Sequence, residues 1–229
     1  MKKILQKQAR VLRQTAKEVL VEKIKTAKIK KILKEMSSAL KSQDDGVAIA
    51  APQIGYALRI FVVSGKIFAK DFGKKRPARN AFSIADARPH DSLQRIGQAG
   101  GEKKINSEEE ILLNENNIVE KIETKEKIKD LIFINSKISK LSREKEWMPE
   151  GCLSVRWFYG KTLRSKKATI TAYDENGKKF TRGASGLLAQ IFQHETEHLN
   201  GILFIDHAKD IKEELPARNA SHSDAGGPK

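Results

Sequence analysis

The sequence predicts an α+β fold in which antiparallel β-sheets pack around a central helix, with a helical segment near the N-terminus. Separate runs of β-branched and aromatic residues are typical of strands. One run ends at Asn176-Gly177, a pair that favours a tight hairpin turn and therefore antiparallel pairing. A long apolar stretch over residues 184–201 carries His194 and His198. Because a helix that is apolar on most sides is usually buried, we expect this one at the centre.

Composition narrows the class of protein. The chain has 229 residues, of which 39% are hydrophobic and 32% charged, enough for one core under a large solvated surface. No run of eighteen apolar residues predicts a membrane span, and no apolar segment follows the basic N-terminal residues as in a secretory signal. The lone cysteine, Cys152, excludes an intrachain disulfide. These features predict a cytoplasmic protein.

Two helices are predicted in the N-terminal part of the chain, over residues 10–20 and 26–41. The turn formers Asp44-Asp45-Gly46 end the second helix. In that helix, apolar residues recur at three- and four-residue spacing, which is typical of one buried helix face: Ala27, Ile32, Met36, Ala39 and Leu40.

The remaining elements are mainly strands. The hairpin at Asn176-Gly177 joins two of them. The histidine-bearing helix is expected to begin near Ala184-Ser185 and to end at Asn200-Gly201, because glycine commonly follows a helix C-terminus. Predicted strands occupy residues 59–63, 131–134, 168–173 and 179–181.

We expect a single domain over residues 1–208, interrupted by an insertion at about 64–128. The composition changes within this insertion, and the part around 71–108 is expected to be exposed and partly disordered. Residues 209–229 finish in a small, polar sequence and are expected to form a flexible C-terminal tail.

The formal net charge of +15 is concentrated near the N-terminus, where residues 1–41 contain thirteen Lys or Arg and three Glu. This excess fits a solubilising surface, and equally a surface that attracts a polyanion such as RNA. Residues 1–41 contain no aromatic residue, so stacking on bases is not supported.

The predicted central helix contains the motif His194-Glu195-Thr196-Glu197-His198. Histidines four residues apart project from one helix face, so both imidazoles can reach one divalent metal. Glu195, between them, is a candidate general acid and base. The same spacing also occurs on ordinary surface helices, but the apolar flanks predict burial here, and buried imidazoles need partners.

A catalytic metal needs a third protein ligand and an open position. Cys152 is the candidate; a lone cysteine is more commonly a small buried apolar residue, but with the two histidines it makes a Cys/His/His donor set. Separately, the small residues of segment 46–55 allow close approach of a substrate backbone. Its Gln53 has an amide that can donate to an oxyanion, although this segment alone also fits simple packing.

These three segments together resemble, in the same order, the motifs of the peptide deformylase family: GVAIAAPQIG (46–55), EGCLSV (150–155) and QHETEHLNG (193–201). The resemblance covers roughly residues 1–63 and 130–208. It implies a metal-dependent hydrolase that removes the N-formyl group from the N-terminal formylmethionine of newly synthesised polypeptides. The implied cofactor is one divalent metal, ferrous iron (Fe2+) natively, with Zn2+, Ni2+ or Co2+ also accommodated.

The resemblance also implies roles for single residues. Glu195 would shuttle a proton from the attacking water to the leaving amine, while Gln53 and the backbone amide of Leu153 would stabilise the oxyanion. The metal would be bound by three side chains: Cys152, His194 and His198.

For the substrate, the resemblance implies that the peptide pairs as an added strand with the backbone of Ala48 and Gly151. Leu187 and Ile191 would wall the pocket for the methionine side chain. The implied partners are N-formylmethionyl nascent peptides, and association with the ribosome would be compatible with this substrate.

The sequence departs from the family pattern at several positions. Ala48 replaces a glycine, and Arg156-Trp157 replaces Pro-Gly, which is expected to reshape the pocket rim. Glu197 replaces an aspartate and is expected to support the site or form a salt bridge. The insertion before Cys152 is also longer than the family generally carries.

Two alternatives remain open from the residues. A zinc endopeptidase also uses the histidine motif and would take His207, Glu213 or Glu214 as its third ligand, which leaves the segment around Cys152 unexplained. Alternatively, the basic N-terminal region and the insertion fit a ribosome- or RNA-associated protein on a scaffold that has lost activity, although the intact catalytic residues argue against this.

Overall fold

The computed structural model describes residues 2–69, 72 and 128–215. Within these ranges the chain forms two α-helices, α1 (Ala27–Lys41) and α2 (Gly186–Leu199). No helix in this described part is long and apolar enough to cross a membrane. The strands are β1 (Ala48–Ala50), β2 (Ile60–Val63), β3 (Leu131–Leu141), β4 (Lys145–Gly151), β5 (Phe158–Ser165), β6 (Lys167–Tyr173), β7 (Lys179–Ser185) and β8 (Lys209–Glu213).

The strands form two antiparallel sheets. Five of them make the larger sheet, in the order β1-β2-β3-β6-β7, and the smaller sheet has the order β4-β5-β8. The hairpin predicted at Asn176-Gly177 is present, since β6 and β7 pair antiparallel along their whole lengths. Gly177 has a φ of +73°, a conformation that favours glycine. Antiparallel sheets with two helices confirm the predicted α+β class.

Helix α2 lies at the centre of the fold, as predicted. Ten of its 14 residues are buried because it packs against strands of both sheets, including β1 and β6 of the larger and β5 of the smaller. Phe192 meets Phe133 edge-on with ring centroids 5.2 Å apart, and Phe133 stacks on Phe61 at 4.5 Å. These three buried rings fix α2 against the larger sheet.

Helix α1 confirms the prediction of a helix over residues 26–41 to within one residue at its start. Its buried face packs into one core cluster with residues of β1 and β2, such as Ile49 and Ile60. The residues of α1 in that face are Ile29, Ile32, Leu33, Met36, Ala39 and Leu40.

The helix predicted over residues 10–20 is wrong. Only Arg10–Arg13 form a short 3-10 turn, and the chain beyond them bonds to distant backbone. Lys17 N–H donates to the Ala57 carbonyl at 2.9 Å, and Ala16 N–H donates to the Leu199 carbonyl at 2.8 Å. This pairing outweighs the intrinsic helix propensity, which differs between ordinary residues by less than about 0.7 kcal/mol.

The predicted tail over residues 209–229 begins too early. Strand β8 pairs with β5, with Phe158 opposite Glu213, so these residues belong to the smaller sheet. The rest of the predicted tail, beyond residue 215, lies outside the described residues, as does most of the predicted insertion over 64–128. The described ends of that insertion lie together, since a Cβ at Gly65 would lie 2.3 Å from the Ile128 carbonyl oxygen.

Candidate metal centre and catalytic cleft

The three predicted metal ligands converge in the structure. Helix α2 places His194 and His198 one turn apart on the same face, with ring centroids 4.8 Å apart. Cys152 Sγ lies 3.1 Å from His198 Nε2. The Sγ and one ring nitrogen of each histidine all lie within 4.8 Å of one another. Three side chains on two separate elements therefore present their donor atoms to one point.

Cys152 is brought to α2 by the end of β4. Gly151 packs so closely on Tyr159 of β5 that a Cβ would lie 2.7 Å from the ring Cδ1, so this position requires glycine. The chain then turns, because Val155 N–H donates to the Cys152 carbonyl at 3.1 Å. Ser154 N–H donates to Sγ at 3.4 Å, a contact that helps to hold the sulfur in position.

Glu150 fixes the orientation of His194. Its side chain is fully buried, and Oε1 lies 2.6 Å from His194 Nδ1. When Nδ1–H donates to this carboxylate, Nε2 is left free for a metal. Although burial opposes ionisation, His194 and Arg164 lower the pKa of Glu150. The Glu150 carboxylate in turn raises the pKa of His194 against the opposing effect of burial.

A buried network extends behind Glu150. Arg164 donates to the two Glu150 oxygens at 2.9 and 2.6 Å and also to both oxygens of Glu197, one of them at 2.7 Å. Burial disfavours the charged guanidinium, but the two carboxylates raise the pKa of Arg164. Glu197 Oε2 also lies 3.1 Å from His207 Nε2. The salt bridge predicted for Glu197 is therefore present.

Sequence reasoning missed Glu150 and Arg164 as supporting residues. Their partners are distant in sequence: Arg164 lies 33 residues from Glu197, and Glu150 lies 44 residues from His194. The one available signal was a carboxylate placed two residues before the predicted ligand Cys152.

Glu195 and His198 carry buried polar atoms with no hydrogen-bond partner among the described residues, namely Oε2 of the first and Nδ1 of the second. Burial raises the pKa of Glu195 to about 7, against the opposing influence of His194. Burial, followed by the influence of His194, lowers the pKa of His198. Unpartnered polar atoms beside converging Cys and His donors fit a metal site better than a closed apolar core.

Gln53 forms the wall beside Cys152. A short 3-10 turn, Ala51–Ile54, carries it, and its side-chain Oε1 accepts the Ala50 N–H at 2.8 Å. Nε2 donates to Ser154 Oγ at 3.1 Å and lies 3.6 Å from Cys152 Sγ. Because the amide oxygen is fixed, its NH2 group is directed towards the cysteine ligand, as an oxyanion donor would need to be.

A cavity opens beside the metal ligands, between the loop before β1 and the loop after β4. Its walls include Ala48, Gly151, Leu153 and Ile191, all predicted to contact substrate or the oxyanion. Leu187, in contrast, is not among the described residues that line it; this side chain is partly buried against the core cluster that contains Ala48 and Ile191. β1 is an edge strand of the larger sheet, so one side of its backbone is free of strand pairing.

Arg156, one of the departures from the family pattern, lies in the cavity wall. Its guanidinium makes a bidentate ion pair with Asp45, at 2.5 and 2.9 Å, and donates to Gln43 Oε1 at 2.9 Å. Both charged side chains are largely buried, 19% and 25% exposed. The ion pair joins the two loops that border the cavity. Arg156 therefore changes the cavity rim by bridging these loops.

The alternative third ligands do not join the site. His207 bonds to Glu197 instead, and Glu213 is exposed in β8. In the described part of the chain, the group that can hold a metal consists of Cys152, His194 and His198. The zinc endopeptidase prediction is therefore not supported.

The sequence matches the family model described as polypeptide deformylase over residues 1–76 and 104–214. The chain belongs to the polypeptide deformylase family. The matched ranges include Gln53, Cys152 and the histidine motif of α2, so the motifs and the family model agree on the same residues. The resemblance predicted from the sequence is confirmed.

Curated relatives are similar over part of the chain. The peptide deformylase of Psychrobacter cryohalolentis is 46% identical over 82 residues, which cover 36% of this chain and 45% of the relative. The peptide deformylase of Borreliella burgdorferi is 48% identical over 80 residues, which cover 35% of this chain and 48% of the relative. In these alignments the chain spans about half the length of the curated relatives it matches.

Solved structures are similar over a longer range. The crystal structure of a probable peptide deformylase from Synechococcus phage S-SSM7 has a TM-score of 0.59 and 25% identity, covering 90% of this chain and 99% of the phage protein. A peptide deformylase from Acinetobacter baumannii, bound to Met-Ala-Ser, has a TM-score of 0.60 at 20% identity, covering 90% and 99%. These structures support the fold described above.

Proposed function

We propose that this chain hydrolyses the N-formyl amide of the N-terminal formylmethionine of newly synthesised polypeptides. The observation that carries the proposal is the convergence of Cys152 with His194 and His198, beside a cavity whose walls also contain Glu195 and Gln53. Metal ligands, a buried carboxyl group and an amide donor are the parts that hydrolysis of an amide requires.

The donor set supports a divalent transition metal as cofactor. A thiolate with two neutral imidazoles suits borderline or soft ions, whereas Mg2+ and Ca2+ prefer oxygen ligands. We infer ferrous iron as the native metal, with Zn2+, Ni2+ or Co2+ able to replace it. When bound, the metal supplies Lewis acidity, which lowers the pKa of a coordinated water and polarises a carbonyl oxygen.

Glu195 is proposed to move the proton. Its buried carboxyl, with a pKa raised to about 7, can change protonation state close to neutral pH. It accepts a proton from the attacking water and then delivers it to the nitrogen of the leaving amine. The unpartnered Oε2 supports this role, because no hydrogen bond within the described protein has to be broken first.

Gln53 and the backbone amide of Leu153 are proposed to hold the oxyanion. Gln53 Nε2 is already placed beside Cys152, and its carbonyl oxygen is held by Ala50 N–H, so little reorganisation is needed when charge develops on the formyl oxygen. Preorganised donors of this kind contribute roughly 3–4 kcal/mol each to transition-state stabilisation.

The peptide is proposed to add a strand beside β1. Ala48 and Gly151 both line the cavity, and the outer side of β1 can pair with an extended chain. Ile191, one turn before Glu195, offers an apolar wall for the methionine side chain. Leu187, one turn before Ile191 in α2, is proposed to complete that wall.

The remaining proposals concern the partners of the protein, its location in the cell and the extent of its domain. We propose nascent N-formylmethionyl peptides as substrates, a cytoplasmic location and association with the ribosome, from which these substrates emerge. The lone cysteine and the basic N-terminal region support the location and the association respectively. We also propose that the catalytic domain predicted over residues 1–208, interrupted by the insertion, extends through strand β8.

An anaerobic assay with iron and formyl-Met-Ala-Ser tests the proposed activity. Wild-type protein is expected to release formate, and Glu195→Gln is expected to lose about 10²–10⁴-fold in rate while keeping its metal. Cys152→Ala is expected to lose the metal itself. Glu175→Gln, in the exposed hairpin turn, is the control and should remain active. Wild-type protein that is inert with one iron bound per chain would refute the proposal.

A further inference from the structure

The outer face of α1 is a row of lysines. Lys28, Lys31 and Lys34 follow one another at three-residue spacing, and Lys30 lies four residues before Lys34. All four are exposed, because the buried residues of α1 occupy the opposite face. We call these four residues the lysine face. It spans about 9 Å of the helix axis from Lys28 to Lys34.

The lysine face is not balanced by acidic side chains. Among the salt bridges of the described residues, none involves Lys28, Lys31 or Lys34. The one carboxylate on α1, Glu35, accepts a hydrogen bond from Tyr56 at 2.8 Å instead. Like charges at three- and four-residue spacing destabilise a helix. A helix needed only for solubility is better served by mixed charges, so the row points to an external anion.

The basic surface continues beyond the N-terminal end of α1. Lys23 and Lys25 are exposed just before it. The turn between β6 and β7 lies against Lys25, whose Cε is 4.0 Å from where a Cβ at Gly177 would be. Lys178 follows in that turn and is also exposed. The neighbouring carboxylate of Asp174 accepts the backbone N–H groups of the turn. The surface therefore draws lysines from two separate parts of the chain.

The other end of α1 leads to the rim of the catalytic cavity. Two residues after Lys41, the Gln43 side chain accepts a hydrogen bond from Arg156 in the cavity wall. A Cβ at Gly46, another wall residue, would lie 3.0 Å from Leu40 Cδ1. A polyanion lying along the whole of α1 would therefore end beside the rim of the cavity in which the substrate is proposed to bind.

We propose that the lysine face, with Lys23 and Lys25, binds the phosphate backbone of a structured RNA and holds the cavity opening next to it. The lysine side chains supply point charges that suit phosphates. No aromatic residue lies in residues 1–41, so the binding is independent of base sequence. An anionic membrane fits less well, because an interfacial helix inserts its apolar face, and that of α1 is buried in the core.

The test compares two triple variants of the metal-loaded full chain, binding a fluorescent double-stranded RNA across a KCl series. One variant carries Lys28→Gln, Lys31→Gln and Lys34→Gln. The matched control carries three exposed substitutions away from α1, in β3, β4 and β8: Lys140→Gln, Lys145→Gln and Lys212→Gln. Both variants have the same net charge. The first is expected to reduce the slope of log K against log[salt] by about 2–3, roughly one for each phosphate that is no longer neutralised, and the control by much less.

Three outcomes would overturn the proposal. Equal weakening by both variants would mean that net charge alone attracts RNA. If wild-type protein does not bind RNA even at low salt, RNA is not the partner of the lysine face. Binding of phosphatidylserine vesicles, but not RNA, with the same lysine dependence would assign the face to membranes. Formate release by both variants from free formyl-Met-Ala-Ser is expected to equal wild type, which separates this test from that of the proposed activity.

Discussion

Glu150 is the residue through which the protein holds one proposed metal ligand in place. In Glu150→Gln, the shape of the side chain is kept, but the negative charge that accepts the His194 Nδ1–H is removed. Because such supporting hydrogen bonds set the orientation and basicity of the imidazole, metal affinity is expected to fall about 10–100-fold. Competition with a chromogenic chelator measures this. Glu144→Gln, whose carboxylate pairs with Lys166 on the surface, is the control, and equal affinities in the two variants would contradict the role.

Arg156 is one of the residues at which this chain departs from the family pattern in the cavity wall. Its bidentate pair with Asp45 is partly buried, so the two side chains should be energetically coupled. In a double-mutant cycle of Arg156→Ala and Asp45→Ala, the coupling in the free energy of unfolding is expected to be about 1 kcal/mol. Urea unfolding measures it, and strictly additive effects would show that the bridge does not hold the two loops together.

At the scale of the element, α2 begins at a glycine with positive φ, Gly186, and a second such glycine, Gly201, lies two residues after its last residue. The surroundings of the two glycines differ. Gly201 has a φ of +75°, and a Cβ there would lie 2.8 Å from the Arg13 carbonyl carbon and oxygen. Gly186 has a φ of +56° with nothing within 4 Å. Gly186→Ala is expected to lower the free energy of unfolding by about 1 kcal/mol from backbone strain alone. Gly201→Ala should lower it by about 2–4 kcal/mol, since overpacking adds to the strain.

Thermal or urea unfolding of the two alanine variants provides the comparison. Because the two glycines share the helix and the sign of φ, the difference between them isolates the contact of Gly201 with the Arg13 backbone. Equal losses of stability would mean that the N-terminal segment moves away freely, and that its docking on the end of α2 contributes little.

The N-terminal segment over residues 10–20 shows why some elements could be predicted from the sequence and one could not. Helix α2 and the β6–β7 hairpin follow from local signals, a long apolar run and an Asn-Gly turn, and were predicted within a few residues. Residues 10–20 are predicted as a helix as well, yet Lys17 pairs with the backbone around Leu58. Nothing within the segment encodes that partner. Likewise, the ligands of the metal centre carry a motif, whereas the contact of Arg164 with Glu197 exists only after β5 and α2 have met.

At the scale of the whole molecule, the candidate metal centre joins the two sheets. Cys152 follows β4 of the smaller sheet, while His194 and His198 lie on α2, which the Phe61–Phe133–Phe192 stack holds against the larger sheet. The Glu150–Arg164–Glu197 network makes a second connection between the smaller sheet and α2. A metal would therefore act as a cross-link between two layers that are otherwise packed through side chains.

Metal removal is expected to loosen the smaller sheet more than the larger one. A ligand that binds only the folded state at 100 times its Kd stabilises by about 2.7 kcal/mol, so chelation should lower Tm by about 5–10 °C for a chain of this size. Amide hydrogen exchange should rise in β4 and β5 and stay slow in β2 and β3, whose pairing does not involve the centre. Cys152→Ala is the control, because chelation should leave its Tm unchanged. A uniform rise of exchange over both sheets would show that the metal stabilises the fold globally rather than by linking its layers.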